Sequence, residues 1–185
     1  DYYNKIDTIK VNNLVSALQL SLTHEQFNFI KERYAYQLIK LLRYSKKYTE
    51  ASDVYKNHFS YLGSNSFISY WAMDQYAGIL RKLGDTTTSN YYFLKVIINS
   101  PSKRISAFSS YNVSSQKEFD LLEKMCRTNE EKIFLFFLRA NNRKSLILYE
   151  MDNINNITIN ERDDIILNHN IMKVLMTRQL NQIYP

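Results

Sequence analysis

Apolar residues recur at spacings of three and four along much of this chain, as in helices that bury one face. Over residues 33–55, RYAYQLIKLLRYSKKYTEASDVY, the pattern breaks at 46–47 and resumes at Tyr48. It predicts a helix, a tight turn and a second helix. A similar unit follows over residues 71–96, with Gly84 at its turn.

Capping residues predict where several helices begin. Ser66 and Asp85 can accept hydrogen bonds from the first free backbone N–H groups of the helices that follow them. Three pairs have the capping-box spacing and predict helices that begin just after their first members. These pairs are Thr23 with Gln26, Ser115 with Glu118 and Thr128 with Glu131. Two more helices are predicted over residues 143–152 and after Asn160.

Composition supports the same fold class. The chain has 185 residues, of which 45% are hydrophobic, yet only 3 are Gly and 2 are Pro. Sheets and glycine-rich loops need many turn residues, so this scarcity favours helices joined by short polar turns. We therefore expect an all-α fold with about eight or nine helices.

The stretch around the first turn resembles a tetratricopeptide repeat, a helix–turn–helix unit of 34 residues. Its matching residues are those at helix-packing positions, at the aromatic positions and at the small position where two helices cross. They are Ala35, Leu38, Leu42, Tyr48, Ala51 and Tyr55. The second unit matches at Leu80, Gly84, Asp85, Phe93 and Pro101, and it departs from the pattern at Tyr76, Thr86 and Ser89.

The spacing of the two units, 38 residues from Ala51 to Ser89, exceeds the family's by four. A third unit over 130–152 matches in helix length alone. The phrase AGILRKLG over 77–84, leading on to 100–102, is similar to larger bacterial helical-repeat proteins, which implies no activity.

The resemblance implies a right-handed stack of antiparallel helix pairs, an α-solenoid whose first helices line a concave surface. We expect one helical-repeat domain over residues 1–185. Its predicted parts are an N-terminal helix, two repeat-like hairpins, and degenerate hairpins that end in a capping helix. They cover residues 1–22, 23–64, 66–101 and 102–185.

The same register places a set of first-helix side chains on the concave surface. This set is rich in Arg, Tyr and Trp, the residue types enriched where proteins bind tightly, and it is basic apart from one aspartate. It comprises Arg33, Tyr36, Lys40, Arg43, Tyr44, Trp71, Asp74, Arg81 and Lys82. The expected function is a non-enzymatic scaffold for a protein or peptide, and an acidic peptide would suit the surface.

Two alternatives stay open. The formal net charge of +6 allows the same surface to bind nucleic acid or another polyanion. The chain could also be a helical accessory domain of a larger bacterial enzyme or surface complex.

The sequence favours neither catalytic nor cofactor chemistry. The three histidines are far apart, so no local metal-site spacing occurs, and Cys126 lies in an apolar pattern typical of a core residue. We therefore expect no catalytic residue, no metal and no cofactor. The longest purely apolar run, 133–138, is too short to span a membrane.

Overall fold

A computed structural model describes residues 8–59 and 66–142, and every regular element in this part of the chain is an α-helix. The predicted all-α fold class is confirmed. The predicted helices beyond residue 142 lie outside the described residues. The eight described helices are α1 (Thr8–His24), α2 (Asn28–Tyr44), α3 (Tyr48–Phe59), α4 (Phe67–Lys82), α5 (Thr86–Asn99), α6 (Arg104–Ser110), α7 (Gln116–Met125) and α8 (Asn129–Asn142).

The chain divides into two compact units, Asp1–Asn112 and Val113–Pro185. The first unit contains α1 to α6, and the second contains α7 and α8. The single domain predicted over residues 1–185 stays a prediction. Each unit has its own buried apolar side chains, and each is described separately below.

In the first unit, helices that follow one another in sequence pack in pairs. Helix α2 packs against α1 and α3, α4 packs against α5, and α5 packs against α6. Helix α4 also packs against both α2 and α3, which joins the two hairpins. The first helices of the two hairpins, α2 and α4, are therefore neighbours, and this packing positions the candidate site.

Small and aromatic residues of the first hairpin lie in the core of the first unit. Ala51 is fully buried, as expected for the small residue at a helix crossing. Tyr55 stacks on Tyr76 of α4, with 3.9 Å between ring centroids and 8° between ring planes. Tyr76 stands where the resemblance described above predicts leucine. Its ring is used for packing, since offset aromatic stacking adds to the burial of apolar area.

The second hairpin uses different residues at the equivalent positions. Gly84 has a φ angle of +90°, a conformation that glycine adopts without steric cost, and it ends α4. Ser89 takes the helix-crossing position of Ala51 and is fully buried. Its hydroxyl donates to the backbone oxygen of Ala77 over 2.7 Å, so this small polar residue fits a buried crossing.

Four of the predicted N-terminal caps are confirmed. The side-chain oxygens of Ser66, Asp85, Ser115 and Thr128 each accept a hydrogen bond from the backbone N–H three residues on. In each case the cap satisfies a donor that the helix itself leaves free.

The cap predicted at Thr23 is wrong. The Thr23 hydroxyl donates to the backbone oxygen of Leu20 over 2.7 Å, so this residue belongs to the last turn of α1. Helix α2 begins later, at Asn28, and Phe27 precedes it without a capping side chain. A carboxylate oxygen of Glu25 accepts from the backbone N–H groups of Gln26 and Phe27 and orders this link.

In the second unit, α7 packs against α8. Phe119 of α7 contacts Phe136 of α8, with 5.2 Å between ring centroids. The buried apolar side chains of the two helices are Phe119, Leu122, Ile133, Phe134, Leu135 and Leu138.

Candidate functional site

Four of the predicted surface residues come together where α2 packs against α4. The rings of Tyr36 and Trp71 lie 5.9 Å apart between centroids, at an angle of 56°. Asp74 lies one turn further along α4 and is close enough to raise the pKa of Tyr36 by its charge. Arg43, near the end of α2, reaches across to α4.

Arg43 lies flat against the backbone of α4. A β-carbon added at Gly78 would meet Nη2 of Arg43 at 2.9 Å, closer than real side chains approach. Gly78 therefore provides the space in which the guanidinium lies. The Nη1 atom donates to Oε1 of Gln75 over 2.5 Å, and this is the one hydrogen bond that the Arg43 side chain makes with residues the structure describes. An arginine has five N–H donors, so most of them are available to a ligand.

Trp71 joins this surface to the turn before α6. Its indole N–H donates to the hydroxyl of Ser102 over 2.9 Å, and the amine of Lys103 lies 5.4 Å from a ring centroid of Trp71. Sequence reasoning missed Lys103, since only the packing of the second hairpin brings the turn after Pro101 back to α4. We call Tyr36, Lys40, Arg43, Trp71, Asp74 and Lys103 the α2–α4 surface.

Lys40 completes this surface on the side of α2. Its amine lies 5.5 Å from the centroid of the Tyr36 ring, at a distance typical of a cation–π contact. Lys40 and Lys103 are partly exposed, and neither side chain makes a hydrogen bond or an ion pair with the described part of the chain. Their charges are available at the two edges of the aromatic pair.

Arg33 lies in a neighbouring aromatic group. Its guanidinium carbon is 3.3 Å from the ring centroid of Phe29 and 5.7 Å from that of Phe67. These rings are 63% and 53% exposed, and Phe67 also contacts Trp71 edge-to-face at 5.4 Å. The apolar surface thus continues from Trp71 towards the start of α2. Sequence reasoning missed both phenylalanines as site residues.

Arg81 differs from the other predicted cations because the second hairpin uses it internally. Its Nη1 atom donates to the backbone oxygen of Ser110, and Nη2 donates to Oδ1 of Asn90 over 2.6 Å. Its guanidinium also lies 5.1 Å from the ring centroid of Phe93. Asn90 is fully buried and extends the network to Asn112 through two further hydrogen bonds. We leave Arg81 out of the α2–α4 surface.

The last two predicted residues lie at helix ends. Tyr44 is the final residue of α2 and is 62% exposed, and Lys82 is the final residue of α4 and is also exposed. The structure shows both as accessible side chains.

Asp74 is the one acidic residue of the α2–α4 surface. Burial raises the pKa of its carboxyl group, and the nearby charges of Lys103 and Arg43 partly offset this increase. Burial also raises the pKa of the Tyr36 hydroxyl, with a further contribution from the Asp74 charge. The site therefore combines a poorly solvated carboxylate, a neutral phenol and several cations.

No group of three or more His, Cys, Asp or Glu side chains among the described residues could hold a metal ion. Burial raises the pKa of the Cys126 thiol to about 12, which keeps this sulfur protonated near neutral pH and unsuited to nucleophilic attack. The arrangement on α2 and α4 is suited to recognition by hydrogen bonds, charge and aromatic contact.

In the described part of the chain, no helix combines the length and apolar character that crossing a membrane requires. Comparisons with family models, with curated proteins and with solved structures find no match to this chain.

Proposed function

We propose that this chain is a non-enzymatic binding scaffold of degenerate tetratricopeptide-like hairpins, and that its α2–α4 surface holds an acidic peptide segment of a partner protein. The observation that carries the proposal is the unused hydrogen-bonding capacity of this surface. Tyr36, Lys40, Asp74 and Lys103 make no side-chain hydrogen bond with the described residues, and Arg43 makes one.

The charge of the surface favours an anionic partner. Lys40, Arg43 and Lys103 contribute three positive charges, against one carboxylate from Asp74. Arginine and lysine bind carboxylates through charge-assisted hydrogen bonds, which are stronger than neutral ones. Acidic side chains on a peptide would satisfy these donors.

The aromatic residues favour a peptide over a simple anion. Tyr36 and Trp71 form a rigid apolar base, and Phe67 extends it with a ring that is 53% exposed. Buried aromatic anchors surrounded by polar contacts are typical of residues that dominate binding energy. A partner that alternates apolar and acidic side chains would match both features.

The proposal can be tested with a library of fluorescein-labelled octapeptides that carry two Glu, two Phe and four Ser residues in every order. Fluorescence anisotropy would measure their binding to the wild-type chain. We expect saturable binding by a subset of the library. Lys40→Glu combined with Lys103→Glu should weaken that binding by about tenfold or more, because the new carboxylates repel the peptide.

The matched control makes the same charge change elsewhere. Lys117 and Lys124 are exposed on α7, and Lys117→Glu with Lys124→Glu should leave peptide affinity unchanged. A single-stranded thymidine oligonucleotide serves as the polyanion probe. If it bound more tightly than every peptide, with a steep loss of affinity in salt, the surface would be a nucleic-acid site and the proposal would be wrong.

A further inference from the structure

Asp74 is a buried carboxylate without a donor. Only 7% of the residue is exposed, and its side chain makes no hydrogen bond and no ion pair with any residue that the structure describes. A carboxylate has about four acceptor sites, and leaving them unsatisfied away from water is costly. A ligand that supplied a hydrogen-bond donor to Asp74 would offset this cost.

The neighbours of Asp74 restrict what that donor can be. Lys103 contacts Trp71, one turn before Asp74 on α4, and Arg43 contacts Gly78, one turn after it. Lys40 lies above Tyr36 on the facing helix. These three cations would repel a ligand ammonium or guanidinium group. A neutral N–H donor meets no such repulsion, and the peptide backbone provides one at nearly every residue.

The distance between the two flanking cations, Lys103 and Arg43, suits a short extended peptide. The seven residue steps from Trp71 to Gly78 span about 10 Å of helix axis. An extended chain covers that distance in about three residues. Acidic side chains two or three positions apart could therefore reach Lys103 and Arg43 while an N–H group between them faces Asp74.

We propose that Asp74 accepts a hydrogen bond from a backbone N–H of the bound peptide, between two acidic side chains that pair with Lys103 and Arg43. This inference rests on the proposed function, and it assigns Asp74 a specificity-determining role. The surface then selects for peptides that present a free N–H at one fixed position, flanked by carboxylates.

The test combines changes on both sides of the hydrogen bond. The probe is the tightest-binding octapeptide of the library described above, made as a series in which one backbone nitrogen at a time carries a methyl group. N-methylation removes the donor and leaves the side chains unchanged. With the wild-type chain, methylation at one position of the peptide should weaken binding by about tenfold, as expected for the loss of a hydrogen bond to a charged group.

Asp74→Ala should weaken binding of the unmodified peptide by a similar factor and abolish the effect of N-methylation at that position. Asp74→Asn keeps an acceptor oxygen, so N-methylation at that position should again weaken binding, though by less than in the wild type. Asp53→Ala is the matched control, because Asp53 is exposed on α3 and its replacement changes the net charge equally. Circular dichroism of each variant checks that the helices persist.

The outcomes separate this inference from the proposal it rests on. If no library member bound the wild-type chain, the proposed function itself would fail, and the inference with it. Suppose instead that peptides bound but that N-methylation lowered their affinity for Asp74→Ala as much as for the wild type. Water would then be the hydrogen-bond donor to Asp74, and only the inference would fail. Tighter binding to Asp74→Ala would likewise overturn it, because the carboxylate would then repel the ligand.

Discussion

Arg43 in the first hairpin and Arg81 in the second stand 38 residues apart, as do Ala51 and Ser89, yet the two arginines differ in their bonding. Arg81 donates to Ser110 and Asn90 and lies beside Phe93, so its donors hold the second hairpin to the segment after it. The Arg43 side chain makes one hydrogen bond with the described residues, to Gln75.

Other equivalent positions of the two hairpins carry different residue types. Tyr36 corresponds to Asp74, and Lys40 corresponds to Gly78, whose missing side chain gives Arg43 its place. The two hairpins thus carry an arginine at equivalent positions, and of the two side chains only that of Arg81 donates a hydrogen bond to a described residue of its own hairpin, Asn90. In a helical repeat, the function of a position depends on the bonding of its side chain as well as on its register.

The largest expected effect comes from the helix crossings. Ala51→Arg should lower the free energy of unfolding by about 3 kcal/mol or more, because a fully buried site must accept both volume and charge. Ser89→Ala, at the equivalent position, should cost about 1 kcal/mol, the value of a typical hydrogen bond. Urea unfolding followed by circular dichroism measures both changes. An unchanged unfolding curve for Ala51→Arg would contradict the shared plan of the two hairpins.

The two arginines should differ in stability as they do in bonding. Arg81→Met leaves the buried network of Asn90 and Ser110 short of donors and should cost about 2 kcal/mol. Arg43→Met removes one bond at a partly exposed site and should cost about 1 kcal/mol or less. Equal losses in thermal or urea unfolding would contradict the inference that Arg81 contributes more to stability than Arg43 does.

Asp74 should make stability depend on pH. Because burial raises its pKa in the folded state, the folded chain holds this proton more tightly than the unfolded chain does. Its contribution to the free energy of unfolding therefore falls as pH rises from the usual carboxyl range through the raised pKa. Asp74→Asn should be more stable than the wild type at neutral pH and should lose that advantage in acid. Parallel stability profiles of the two proteins against pH would contradict this account.

The smallest expected effect concerns the two turns. Lys46 has a φ angle of +63°, and Gly84 has one of +90° at the equivalent position. Lys46→Gly should stabilise the chain by up to about 1 kcal/mol, because glycine adopts a positive φ angle without steric cost. Gly84→Ala should destabilise it by about 1 kcal/mol, although the space around Gly84 is open. Urea unfolding measures both changes. If Lys46→Gly destabilised the chain, or if Gly84→Ala stabilised it, the two turns would not be equivalent.

Local rules predicted the fold class and most helix starts, because a cap such as Ser66 or Asp85 acts within three residues. The same rules failed at Thr23, whose hydroxyl bonds back into α1. A capping-box spacing specifies the residues that could cap a helix, but the preceding helix competes for the same side chain.

The site was predictable only in part, for a related reason. Helical spacing placed Tyr36 on one face of α2 and Asp74 on one face of α4, and the repeat register indicated that these faces are neighbours. The contribution of Lys103 and the internal use of Arg81 depend on contacts between residues about 30 positions apart in sequence. Such contacts are fixed by packing, which periodicity does not specify.

The central claim, that a peptide binds on the α2–α4 surface, has a reporter in the chain itself. Trp71 is the only tryptophan among the 185 residues. Its intrinsic fluorescence should change on titration with the tightest-binding octapeptide and should saturate with the same dissociation constant that anisotropy gives for the labelled peptide. Saturable anisotropy without any change in Trp71 emission would place the peptide elsewhere and would contradict the claim.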